Sequence, residues 1–121
     1  MRKVSRDIVV AYHERKSRRV GNTGVEVDRD GNAVVRLHGN AILRISETHV
    51  GDYLVEATLS GWDTPTTRSR LNDLFALFFG YMEDSPRVYR ERKRTILSSS
   101  RFVYEMSPDG WHGVGLIPRK S

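Results

Sequence analysis

The residues of this chain best suited to chemistry lie in two stretches. In the first, Gly61-Trp62-Asp63-Thr64-Pro65-Thr66-Thr67-Arg68-Ser69-Arg70-Leu71-Asn72, Thr64 or Asp63 can cap a helix whose first position is Pro65. The N–H groups and positive dipole end of such a helix attract phosphate, and Arg and Asn are the side chains best fitted to base edges. Arg68, Arg70 and Asn72 are therefore candidate nucleic-acid-binding residues. The competing account is structural: the threonines cap the helix, Trp62 packs in the core, and Arg68 and Arg70 make surface ion pairs. The second stretch, Arg87-Val88-Tyr89-Arg90-Glu91-Arg92-Lys93-Arg94, interleaves cations with an aromatic ring, the composition of surfaces that grip a phosphate backbone and stack a base. It suits an exposed helix or an edge strand equally. As a strand it puts Arg90, Arg92 and Arg94 on one face.

Catalytic and metal chemistry find little support. His13, His38, His49 and His112 fall on four different elements, without HExxH or a pair at helical spacing. There is no cysteine, which removes disulfides, thiolate metal sites and thiol nucleophiles. Glu26, Asp28 and Asp30 lie in an expected hairpin whose turn chemistry accounts for them, without the spacing of a calcium loop, and Gly21-Asn22-Thr23-Gly24 lacks the continuation of a P-loop and reads as a turn. The expectation is a protein that is not an enzyme, with no metal and no cofactor.

The charge is segregated. The chain carries +5 overall, but Met1 to Arg19 has seven basic against two acidic residues, Val20 to Ser85 five against ten, and Pro86 to Glu105 six against two. Two basic segments thus bracket an acidic middle, a distribution that can steer a polyanion, or that simply keeps a small protein soluble. The longest apolar run, Leu74 to Phe79, is far shorter than the roughly 18 residues of a membrane span. A cytoplasmic protein without a membrane partner is expected.

These residues must be positioned by a small α+β fold. Val4, Ile8, Ala11 and Tyr12 recur on one helical face, predicting an N-terminal helix from Val4 to about Arg19, with Ser5 able to cap it. An antiparallel β-meander follows: Val25-Glu26-Val27, a turn at 28–32, Ala33 to Leu37, a reversal at His38-Gly39-Asn40, a strand with Ile42 and Ile45, and Tyr53 to Leu59. One amphipathic helix over about 64–79, ended by Gly80, presents Leu71, Leu74, Phe75 and Phe78 to the meander and turns Thr66, Ser69, Arg70, Asn72 and Asp73 away. Phe102 to Met106, a turn at Pro108-Asp109-Gly110, and Trp111 to Ile117 predict a C-terminal β-hairpin.

Leu37-His38-Gly39-Asn40-Ala41-Ile42 and the block from Gly61 to Asn72, together with Asn22-Thr23 and Val88-Tyr89, resemble a pattern in small proteins of tailed bacteriophages, including phages of actinobacteria. That pattern runs Asn-Thr, Leu-x-Gly-Asn-x-Ile, Gly-Trp-x-Thr-x-Thr-Thr-(Arg/Lys)-x-Arg-Leu-Asn, then a Val-Tyr strand. The resemblance implies a phage origin and a compact domain, and implies no activity. It divides a single domain of residues 1–121 into a basic N-terminal segment at 1–21, a phage-like core at 22–97 and a C-terminal hairpin extension at 98–121. Three roles follow as expectations. The first is a non-catalytic accessory protein binding DNA or RNA through Arg68, Arg70, Asn72, Arg90, Arg92 and Arg94, which requires the two stretches to share one face. The second is a ligand of a host protein, anchored by Trp111 or Tyr89, and the third is a virion assembly component.

Overall fold

The computed structural model describes residues 3–80 and 85–118. The outer parts of the two terminal segments, residues 1–2 and 119–121, and the acidic residues Glu83 and Asp84 of the middle segment lie outside the described residues. The order of elements is α1 (Lys3–His13), β1 (Arg18–Val20), β2 (Thr23–Val27), β3 (Ala33–Leu37), β4 (Asn40–Glu47), β5 (Tyr53–Ala57), α2 (Pro65–Phe79), β6 (Arg87–Glu91), β7 (Arg94–Ser98), β8 (Val103–Glu105) and β9 (His112–Ile117). The fold is α+β, with every strand pair antiparallel: a six-stranded sheet β1-β2-β3-β4-β5-β9 and a three-stranded sheet β6-β7-β8.

The N-terminal helix stops at His13, earlier than the expected Arg19, and residues 18–20 form an edge strand instead. The stop is a Schellman arrangement: Arg15 takes a positive φ of 57°, its N–H donates to Tyr12 O at 3.0 Å, and Lys16 N–H donates to Ala11 O at 2.9 Å. Glycine usually holds that position. Here the Arg15 guanidinium lies over the rings of Tyr12 and Tyr53, 5.1 and 5.7 Å from their centroids, contacts that offset the backbone strain. Ser5 does not cap α1. It is buried, and its hydroxyl donates to Asp73 Oδ2 of α2 at 3.2 Å.

In the meander, Val25, Val35, Leu43, Ile45 and Val55 point to the core, as strand alternation requires. The outer face is neutralised by cross-strand pairs, Arg36 with Glu26 at 2.7 Å and Arg44 bidentate with Glu56 at 2.8 and 3.2 Å. The acidic hairpin turn serves itself: Asp28 Oδ1 accepts from the N–H groups of Asp30 and Asn32.

Helix α2 has the expected limits, with Thr64 Oγ1 accepting from Thr67 N–H at 3.2 Å, Pro65 at the first position and Gly80 N–H closing on Ala76 O. Leu71, Leu74 and Phe75 are fully buried, and Phe78 meets the Tyr12 ring edge-on. Part of the side predicted to face solvent is instead covered: Arg70 is buried, Asn72 is bound to β6 and Asp73 accepts from Ser5. Val88 and Leu97 of the small sheet, with Met106 just after β8, join Ile8, Val35 and Leu71 in one cluster of buried residues.

The C-terminal strands form on either side of the Pro108-Asp109-Gly110 reversal, and each finds its main partner elsewhere. Strand β8 pairs with β7 and β9 with β5, while Tyr104 OH donates to Gly113 O across the turn. Both earlier strands would otherwise present unpaired edges, and a ladder satisfies more backbone groups than the hairpin could.

The attachment of the small sheet to α2 is measurable. Asn72 donates from Nδ2 to Val88 O at 2.8 Å and accepts Val88 N–H on Oδ1 at 2.7 Å. Asn72→Ala leaves both backbone groups unpaired and is expected to lower unfolding free energy by about 1–3 kcal/mol, read as a lower denaturation midpoint at unchanged slope.

Candidate nucleic-acid interface

The six sequence-predicted residues separate into three kinds. Arg70 is 2% exposed and donates to Thr23 Oγ1 and, at 3.4 Å, to Asn22 Oδ1. It holds β2 to α2 and offers nothing to a polyanion. Asn72 is equally committed, to Val88 of β6. Both lose their predicted role because α2 is covered on its polar side, which helical periodicity could not reveal.

Arg68 and Arg90 converge on one carboxylate. Asp63 Oδ1 accepts from Arg68, and Oδ2 accepts from Arg90 Nη1 at 2.9 Å and from the Thr95 hydroxyl. The helix start and the arginine-rich run therefore do share one face, with Asp63 as the joint. Burial raises the pKa of Asp63, but the hydrogen bonds of Thr95, Arg68 and Arg90 and the Arg68 charge outweigh it, so the carboxyl sits below the usual carboxylate range.

Arg92 and Arg94 do not share a face with Arg90. The run at 87–98 is neither one strand nor a helix: it is a hairpin, with Arg90 opposite Thr95, Glu91 opposite Arg94, and Arg92-Lys93 as the two-residue turn. Arg90 and Thr95 lie on the face that carries buried Val88 and Leu97, and Arg94 lies on the other. Arg92, Lys93 and Arg94 are exposed, and among the described residues none of the three forms an ion pair.

The two family-like stretches meet elsewhere too. Leu37, His38, Asn40 and Ile42 of one stretch and Trp62, Thr64 and Thr66 of the other line a common groove of roughly 500 Å³, together with Leu59. Trp62 is 59% exposed, so the expectation that it packs in the core is not met. Ser60 and Gly61 precede it with φ of 54° and 79°, in a turn closed by Trp62 N–H donating to Leu59 O at 2.8 Å. Helix α2 opens beside this groove but has few free donors: Pro65 has no N–H, and Thr67 N–H is held by Thr64. The expected phosphate site at the helix start is thereby weakened.

The alternative anchors differ. Trp111 is half-buried beneath the Arg44 guanidinium, 4.2 Å from the ring centroid, whereas Tyr89 is 40% exposed. His13 meets the Tyr12 ring edge-on, and His112 Nε2 lies 3.1 Å from Ser107 Oγ. Among the described residues no group of three His, Asp or Glu could hold a metal ion, and no helix is long and apolar enough to cross a membrane.

Because Asp63 has a depressed pKa when folded, its ionisation stabilises the fold above the unfolded-state pKa near 4 and that contribution is lost as pH falls through the folded value. Asp63→Asn is expected to flatten the dependence of Tm on pH below about 4, with thermal unfolding measured from pH 7 to 3.

No curated protein and no solved structure matches this chain. Residues 1–108 match the Kyanoviridae Gp96 protein family, a match that takes in α1 and β1 as well as the stretch from Asn22 to Leu97. Since that covers all but the last strand and the tail, the chain belongs to the Kyanoviridae Gp96 family of phage proteins.

Proposed function

We propose that this phage protein is a small non-catalytic nucleic-acid-binding protein of the host bacterial cytoplasm, which grips phosphates with Arg92, Lys93 and Arg94 at the β6–β7 tip. Arg68 and Arg90 add to the local field while staying tied to Asp63.

The observation that supports this reading is the chemistry of the tip itself. Arg92 and Lys93 have φ of 49° and 68°, the conformation that a two-residue hairpin turn requires at both positions and that Asn-Gly or Asp-Gly satisfies best. Each non-glycine residue there costs on the order of 1 kcal/mol. Stability alone disfavours two long cations at this point, and what they supply is charge. A polyanion that replaces condensed counterions with these side chains gains affinity from their release. A two-stranded β-ribbon also has the width to enter a major groove.

The double variant Arg92→Asn/Lys93→Gly separates stability from binding. It is expected to raise Tm by a few degrees while weakening oligonucleotide binding and reducing the slope of log K against log salt by about 1.8 on duplex DNA. Fluorescence anisotropy across a salt series and a thermal melt give both readings. No binding at 50 mM salt, affinity unchanged in Arg92→Glu/Lys93→Glu, or recovery from host lysate of one stoichiometric nuclease-insensitive protein would each overturn the proposal.

A further inference from the structure

We infer that the groove beside Trp62 is a nucleobase site, and that the preferred ligand is single-stranded nucleic acid with one unpaired base stacked on the indole. This rests on the phosphate-binding reading of the β6–β7 tip and adds a second site to it.

Three observations converge on the groove. Trp62 is a large apolar side chain left mainly in solvent, although burying such a ring would stabilise the fold. It is nevertheless held on rigid backbone: Trp62 N–H donates to Leu59 O, Gly61 N–H to Pro108 O at 2.7 Å, Thr64 N–H to Trp62 O at 2.9 Å, and Ser60 N–H to Thr58 Oγ1 at 3.1 Å. Ser60 stands at a φ that costs energy for a residue with a side chain. An aromatic fixed in this way loses little entropy when a ligand stacks on it.

The groove has the composition that a base requires. Leu37, Ile42 and Leu59 supply apolar surface, and Asn40 contributes an amide able to donate and accept along a base edge. Its volume of roughly 500 Å³ lies in the range of small-ligand sites. His38, which also lines the groove, has a positive φ of 52° and is anchored by its N–H to Asn22 O at 2.7 Å, so its backbone is fixed as well.

Charge complementarity selects the occupant. The residue after Trp62 is Asp63, bound to Arg90 and Thr95, and the Arg92-Lys93 turn lies two residues beyond that rung, about 7 Å at strand rise. The loop that carries Trp62 is thereby tied to the strand pair whose turn is Arg92-Lys93, so a single strand leaving the groove along Asp63 and Arg90 reaches exposed cations that form no ion pair among the described residues, the pairing of stacking platform and basic surface that single strands use. A duplex keeps its bases stacked internally and cannot fill the groove.

The test uses Trp111→Phe, which leaves Trp62 as the sole tryptophan, titrated with oligo-dT, oligo-U and a duplex of equal length at low salt. Quenching of Trp62 emission by the single strands alone is expected. Trp62→Ala should weaken single-strand binding by about ten-fold or more, with Trp62→Phe retaining most of it and the duplex affinity unchanged. Should Trp111→Phe fail to fold, the emission difference between the native protein and Trp62→Phe provides the same reading. Salt-dependent binding without quenching, and with Trp62→Ala indistinguishable from the native protein, overturns the base site and leaves the phosphate reading standing. Failure of both single strand and duplex to bind overturns both.

Discussion

The carboxylate of Asp63 joins the loop before α2, the first turn of that helix and the β6–β7 hairpin, through Arg68, Arg90 and Thr95. One acidic group with three donors is an economical way to dock a small sheet on a helix, because each donor would otherwise be left partly desolvated and unpaired. The arrangement also leaves an excess of positive charge: two guanidinium groups share one carboxylate. The surface proposals build on this joint, since it ties the loop that carries the exposed Trp62 to the strand pair that ends in the basic turn.

The pieces of the phage-like pattern meet one another in the fold. Asn22 and Thr23 receive Arg70, His38 N–H donates to Asn22 O, and Asn72 clamps the backbone of Val88. Much of the pattern therefore specifies contacts between elements distant in sequence, and its arginine and asparagine are structural. Trp62 stands apart, because it belongs to the same block and yet contributes little to the core.

Backbone strain marks the same regions. His38, Ser60, Arg92 and Lys93 all take positive φ at two-residue reversals where glycine, asparagine or aspartate would be easier. Two of these reversals border the groove and the third is the basic tip. Strain retained at surface positions suits a role that rigid presentation serves.

Most local elements were legible from the residues within them. Alternation in Val25 to Leu37, the turn formers at 28–32, and the Thr64, Pro65 and Gly80 punctuation of α2 are short-range signals, and each element appears where its residues require. The end of α1 was not legible, because Arg15 replaces the usual glycine and is held by Tyr53 from a distant strand. Nor was the turn at Arg92-Lys93, where neither residue carries the ordinary turn signal. Tertiary structure alone decided which arginines are exposed. Periodicity assigns a helix one buried face, but α2 is covered on its polar side as well, so Arg70 and Asn72 became internal ties and Arg92 and Arg94 stayed at the surface. Whether a cation can meet a ligand depends on what lies across the chain from it, and nearest-neighbour chemistry does not contain that information.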